Sequence, residues 1–239
     1  MKAGQATLGI LMLDTSFPRI PGDVGNPLSY QYPVLMRTVH GATVQRVVYE
    51  ADPLLLDQFI EAARDLQAEG VAAITSSCGF LSLFQDKVAK AVSIPVFLSS
   101  LQQAPLAYAM TQRRVAIITA NSERLTEEVL RCAGIDSKIP LAISGLQDAP
   151  AFSNSFLEDG PGLNRESVEQ ELLARATGLV EQYPDIGVFV FECHNLAPYA
   201  KSVQQATGRP VFDIIDFANW IYSSITKHEY APPSSTGKP

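Results

Sequence analysis

Short continuous apolar runs alternate along this chain with longer stretches whose apolar residues recur at helical spacing. Leu8-Gly9-Ile10-Leu11-Met12-Leu13 is an unbroken run of strand length, closed by Asp14-Thr15. Such a run reads as a strand buried on both faces whose carboxyl end opens into a polar loop. Residues 16–33 mix prolines and glycines without a period and predict a long irregular loop, a kind of segment that often serves function in compact domains. β-branched residues predict a strand over Thr43–Tyr49. Asp52-Pro53 then has the cap-and-proline signature of a helix start, Leu55, Leu56, Phe59, Ile60, Ala63 and Leu66 follow at helical spacing, and Gly70 is a stop. A strand over Val71–Thr75, a helix over Leu81–Val92 and a strand over Ile94–Leu98 complete an alternation that predicts an α/β fold with a parallel sheet covered by helices on both faces.

The second half repeats the device. Val115–Thr119 resembles the first strand, and Ala120-Asn121-Ser122 takes the place of its polar ending. Ser122 is the expected cap of a helix through Arg131 with Gly134 as its stop, and Asn164 caps another to about Gln182. Gly187–Phe191 reads as a strand, with closing helices over Leu196–Thr207 and Ile215–Lys227. Cys193 lies 115 residues after Cys78, and Pro210-Val211-Phe212 lies 115 residues after Pro95-Val96-Phe97. Gly9 and Val115 are 106 apart, so the offset grows by nine before the cysteines. The pattern predicts a duplicated chain, with residues 1–110 plus 213–230 as a first α/β lobe and 111–212 as a second. Residues 231–239, rich in Pro, Ser and Gly, are expected to form a flexible tail.

Composition narrows the functional classes. Of the 239 residues 46% are hydrophobic and 18% charged, which suits a folded core. A net charge of -7, with no run of Lys or Arg interleaved with aromatics, argues against nucleic acid. The first apolar run is too short for a membrane span and no signal-peptide cleavage pattern follows it, so the expected location is cytoplasmic with no membrane partner. Cys78, Cys132 and Cys193 are odd in number and lack CxxC spacing, which predicts free thiols and no metal site. Cys132 reads as core filler.

Cys78 and Cys193 are expected where parallel sheets gather ligands, at the carboxyl ends of strands. A helix N-terminus just after each thiol is expected to lower its pKa and to favour a substrate carboxylate. Two thiols facing one another across a cleft suit proton removal from carbon on one side and return on the other, which is racemisation or epimerisation. The developing carbanion needs donors, and Thr15, Ser77, Thr119, Asn121, Ser122 and the amides of Gly79 and His194 are the candidates. Arg19 reads as an exposed loop residue, with a substrate carboxylate as its functional alternative. Glu192 receives no role, and His40 and His228 read as surface residues.

Leu8 to Thr15 with its terminal acid, Ser76-Ser77-Cys78-Gly79, Val115 to Asn121, and Glu192-Cys193-His194-Asn195 followed by Pro198-Tyr199-Ala200 together resemble the aspartate/glutamate racemase superfamily over nearly the whole chain. That family includes amino-acid and hydantoin racemases that use no cofactor. The resemblance implies two pseudo-symmetric three-layer αβα domains with mainly parallel four-stranded sheets and the active site in the cleft between them. It implies Cys78 and Cys193 as the acid/base pair and Asp14 as the acid that assists them; His194, beside Cys193, reads either as a residue tuning that thiol or as one that hydrogen-bonds locally. Glutamate racemases carry Asn-Thr after the first cysteine and Thr-His after the second, where this chain has Gly79-Phe80 and His194-Asn195. Recognition of a glutamate side chain is therefore not implied, and Phe80 narrows the pocket or favours an apolar substituent. The expected partner is a small molecule with a carboxylate or cyclic amide, and a homo-oligomer is compatible with the family. Alternatives are an isomerase or lyase using Cys78 as nucleophile and a two-lobed binding protein for small anions. The decarboxylase branch keeps only the second cysteine, so retention of Cys78 weighs against it.

Overall fold

The computed structural model describes residues 5–227, so His228 and the 231–239 segment lie outside the described residues. Two four-stranded sheets, every pairing parallel, form its frame. The first has the order β2-β1-β3-β4, from β1 (Leu8–Met12), β2 (Val34–Thr38), β3 (Ala73–Ser76) and β4 (Val96–Phe97). The second has the same order shifted by four, β6-β5-β7-β8, from β5 (Arg114–Thr119), β6 (Leu141–Gly145), β7 (Ile186–Phe191) and β8 (Val211–Phe212). The helices are α1 (Leu56–Ala68), α2 (Gln85–Ala91), α3 (Ala104–Thr111), α4 (Glu127–Cys132), the single turn α5 (Pro150–Phe152), α6 (Arg165–Gln182), α7 (Ala200–Thr207) and α8 (Ile214–Ile225). Among the described residues no helix is long and apolar enough to cross a membrane.

The duplication is visible in the hydrogen-bond register. Leu8 pairs with Ala73 and Val115 with Val188, and Val188 lies 115 residues beyond Ala73, as the cysteines do. The first strands are offset by 107 in that register, so Gly9 matches Ala116 and the expected 106 is corrected by one residue. A Cβ at Gly9 would come within 3.1 Å of both Leu66 and Val71, so a larger residue there requires those side chains to give way. The central strands are buried along their length because helices cover both faces, which is why their residues form apolar runs instead of alternating. α8 returns to the first sheet, burying Ile214, Phe217 and Ala218 with Leu8, Ile10, Ala73 and Phe97. α3 instead packs against β5 and β7 of the second sheet.

Several local expectations are corrected. The second strand is Val34–Thr38, and Gln45–Tyr49 is a π-helical turn. Val44, Val47 and Val48 bury one face at helical spacing, and that periodicity outweighed their β-branching. β6 was not anticipated, since its middle residues are partly exposed and give no apolar run. The cap of α4 is Thr126, which accepts from the Val129 amide at 3.4 Å, and not Ser122. The helices after the cysteines begin as 3-10 turns, Gly79–Phe84 and His194–Tyr199, themselves 115 residues apart.

Candidate active site

β3 and β7 end just before Cys78 and Cys193, and both thiols open into one pocket enclosing about 410 Å³ of free space, part of it open to solvent. Its apolar wall is Leu13, Phe17, Val44, Val48, Phe80, Phe156 and Leu157, and its polar groups come from Thr15, Arg19, Ser77, Glu192, His194 and Asn195. Arg19 is the one Lys or Arg among these lining residues. Among the described residues no group of three or more His, Cys, Asp or Glu is arranged to hold a metal.

The loop over residues 16–33 delivers Arg19 and a polar chain to the second cysteine. Arg19 bonds Asp23 at 3.0 Å and the Thr15 hydroxyl at 2.9 Å, and it stacks on Phe17. Its side chain is 14% exposed, so it is a pocket residue and not the exposed loop residue expected. Asp23, itself buried, accepts from Asn195 Nδ2 at 2.8 Å, and Asn195 Oδ1 lies 3.7 Å from the Cys193 sulfur. The loop is held from the opposite lobe by Asp159, whose Oδ1 accepts from the amides of Ser16 and Phe17 at 2.6 and 3.0 Å. Phe17 meets Phe156 edge-on at 5.0 Å. Replacing Asp159 with Ala should release this edge of the loop at a cost of about 1–2 kcal/mol. Faster amide hydrogen exchange over residues 16–33 is the expected readout, and unchanged exchange would mean that the aromatic contact alone holds the loop.

Electrostatics run against one expectation. Burial pushes both thiols well up from the ordinary range, Cys193 most strongly opposed next by the neighbouring Glu192 carboxyl, as is Cys78. The Phe80 and Leu81 amides at the helix start do favour the Cys78 thiolate, but desolvation outweighs them. His194 lines the pocket, yet both its ring nitrogens are engaged by the first lobe. Nδ1 lies 2.9 Å from the Ser76 carbonyl and Nε2 accepts from the Ser100 amide at 3.2 Å, which fixes a neutral ring protonated on Nδ1. Burial lowers its pKa to about 3, so it bridges the lobes and has no free nitrogen with which to tune Cys193.

The other expected site residues divide. Cys78, Cys193, Thr15, Ser77, Gly79 and Phe80 line the pocket together. Asp14 does not: β1 ends two residues earlier and the side chain turns outward, accepting from the Gly41 amide at 2.8 Å and lying 3.8 Å from the exposed His40. Asn121 caps its own turn by accepting from the Glu123 amide at 3.0 Å, and Ser122 pairs with Gln147 at 3.1 Å; neither lines the pocket. Thr119 lies behind the wall and donates its hydroxyl to Glu192 Oε2 at 2.7 Å. Cys132 sits half-buried on α4, away from the pocket. Glu192, given no role from the sequence, is wholly buried against the pocket. The repeat carried a signal for it, since it stands 115 residues after Ser77.

The chain is 34% identical over 223 residues to a dimethylsulfoniopropionate lyase of Durusdinium sp. clade D, covering 90% of this chain and 73% of that protein. It is 36% identical over 225 residues to dimethylsulfoniopropionate lyase 7 of Emiliania huxleyi (strain CCMP1516), covering 89% of this chain and 65% of that one. Among solved structures, allantoin racemase from Klebsiella pneumoniae superposes with a TM-score of 0.64 at 16% identity, covering 92% of this chain and 87% of that one, and shares the fold. The family model for Asp/Glu/hydantoin racemase matches residues 37–221, a span that holds β3, the whole second sheet and both pocket cysteines. With two like-ordered parallel sheets and one thiol from each at a common pocket, this chain belongs to the Asp/Glu/hydantoin racemase family.

Proposed function

We propose that this chain is a cofactor-independent lyase that removes the proton next to a carboxylate and expels a thioether from the adjacent carbon, with dimethylsulfoniopropionate or a close sulfonium carboxylate as substrate. The observation that carries the reading is one small pocket with two thiols, a single cationic side chain and an otherwise apolar, partly aromatic wall. Arg19 offers donors for one carboxylate, and no second cation lines the pocket for a dicarboxylate. Phe17, Phe80 and Phe156 suit the methyl groups and positive charge of a sulfonium. The relatives named as dimethylsulfoniopropionate lyases, at 34% and 36% identity, favour this branch over racemases such as the solved allantoin racemase, which at 16% identity shares the fold alone.

The raised thiols fit such a substrate. No unpaired fixed cation stands beside them, because Arg19 is neutralised by Asp23. A bound sulfonium brings its own positive charge into a desolvated pocket and thereby favours the thiolate that must act as base. One sulfur takes the α-proton, and the second, on the other lobe, hydrogen-bonds the reacting molecule from the opposite side.

Racemisation or epimerisation is the second reading, favoured by the equivalent placement of the two thiols in the repeat. Incubation in deuterated buffer separates the two. Dimethylsulfoniopropionate should yield dimethyl sulfide, measured by gas chromatography, together with acrylate in equal amount. Solvent exchange at the α-carbon of an amino acid or hydantoin, without thioether release from the sulfonium acid, would replace the lyase reading with the racemase one.

A further inference from the structure

Ser77 and Glu192 occupy the same place in the two copies and do the same backbone work. The Ser77 amide donates to the Leu11 carbonyl and the Glu192 amide to the Ile118 carbonyl, each at 2.9 Å. The Ser77 hydroxyl accepts from the Leu13 amide at 2.9 Å, and Glu192 Oε2 accepts from the matching Ala120 amide at 3.3 Å. A serine's one oxygen is enough for this anchoring. Glu192 adds a second oxygen, Oε1, which is buried against the pocket and makes no hydrogen bond of ordinary geometry, although the Phe80 amide also acts on this carboxyl. It lies against the residue after Cys78, since a Cβ built on Gly79 would be 2.5 Å from it. Leaving a buried carboxyl oxygen unpaired is costly, and nothing in the anchoring requires it.

Oε2 already accepts from the Thr119 hydroxyl and the Ala120 amide, so a proton on this carboxyl belongs on Oε1. Burial raises the pKa of Glu192 to about 7, with the Thr119 hydroxyl and the backbone amides of Ala120 and Phe80 acting against that rise. The ionisable groups lining the same pocket are Cys78, Cys193, Arg19 and His194. An ionised Glu192 is the largest charge opposing either thiolate, and protonation removes that opposition.

We propose that Glu192 is a further catalytic residue, a carboxylic acid that keeps its proton and donates Oε1–H to a carboxylate oxygen of the substrate. Its catalytic part rests on the α-proton removal proposed above. As the C–H bond breaks, its proton goes to the thiolate sulfur and its electron pair moves toward the substrate carboxyl group, which becomes a stronger acceptor for Glu192. The pair then forms the carbon–carbon double bond while the carbon–sulfur pair departs on the neutral thioether. Glu192 ends the cycle protonated, as it began.

Two substitutions separate this role from a structural one. Glu192→Ser reproduces the first lobe's own anchoring but its hydroxyl, two atoms shorter, cannot stand where Oε1 stands, whereas Glu192→Gln accepts with its oxygen, donates with its nitrogen and never ionises. Thioether release should fall about 10²–10³-fold in Glu192→Ser, and Glu192→Gln should restore it to within about tenfold of the native protein. Propionate, titrated calorimetrically, tests the donor without any turnover. Its affinity for the native protein should fall as pH rises through about 7, where Glu192 ionises. Over that window His194 is already neutral and both thiols are still protonated. In Glu192→Gln the affinity should stay level over the same window, and in Glu192→Ser it should be at least about tenfold weaker at pH 6. Native affinity in Glu192→Ser, or a native titration flat through pH 7, would overturn the proposal. Absence of thioether release from the native protein would instead count against the lyase reading and leave the propionate result to decide Glu192.

Discussion

Replacement by Ser of whichever of Cys78 and Cys193 takes the α-proton is expected to lower thioether release by about 10²–10⁴-fold, the range supplied by a positioned proton-transfer group. At the other, whose hydrogen bond a hydroxyl can still offer, the loss should be only about tenfold. Both sulfurs open into the pocket, one from the end of each sheet's third strand in sequence order. Serine is close in size, so the loss reports chemistry more than packing, but its hydroxyl is a far weaker acid and gives almost no anion near neutrality. Burial sharpens the contrast, because a site that already opposes the thiolate opposes an alkoxide from a much less favourable start. Circular dichroism and melting temperature should stay near native values for both variants. Full activity in either one would remove that sulfur from the reaction and with it the two-thiol arrangement.

Gly79→Ala should be nearly as damaging for a different reason. An added Cβ would stand 2.2 Å from the Glu192 carbonyl oxygen and 2.5 Å from Oε1, far inside contact distance, and the first of these is backbone. The β7 end cannot yield alone, since the Glu192 amide is tied to Ile118 and the carboxyl to Thr119. The strain should cost about 1–3 kcal/mol. Displacing both Cys78 and Glu192 by a fraction of an ångström should lower turnover about 10²-fold. Chemical denaturation and kcat together check this, and a stable, fully active alanine variant would show that the closeness of Gly79 to Glu192 is not needed for the chemistry.

The duplication, the parallel sheets and the position of both pocket thiols were legible in the chain because each rests on a strong local signal: an apolar run, a cysteine and a Pro-Val-Phe echo at one fixed offset. What escaped depended on contacts made at long range. Asp14, Asn121 and Ser122 are polar residues beyond strand ends, and sequence cannot tell a group that faces a pocket from one that closes its own turn. His194 looked chemical because it follows a cysteine, whereas its partners Ser76 and Ser100 come from the other lobe. The thiols were expected to be acidified by helix starts, but desolvation is set by pocket walls that only the fold assembles. Val44, Val47 and Val48 show the opposite case, since their spacing was visible and their β-branching was given too much weight.

The two ends of the cleft are fastened unequally. At its floor the buried His194 ring holds Ser76 and Ser100, and the Ser100 hydroxyl donates to the Phe191 carbonyl, all within the interior. At its roof, Asp159 holds Ser16 through bonds exposed to water, and water can replace them at little cost. These fastenings predict an entrance that opens like a hinged cover while the lobes, and with them the two sulfurs, keep their separation. In hydrogen exchange the amides of Ser16 and Phe17 should open long before that of Ser100, and the reverse order would mean that the lobes themselves part.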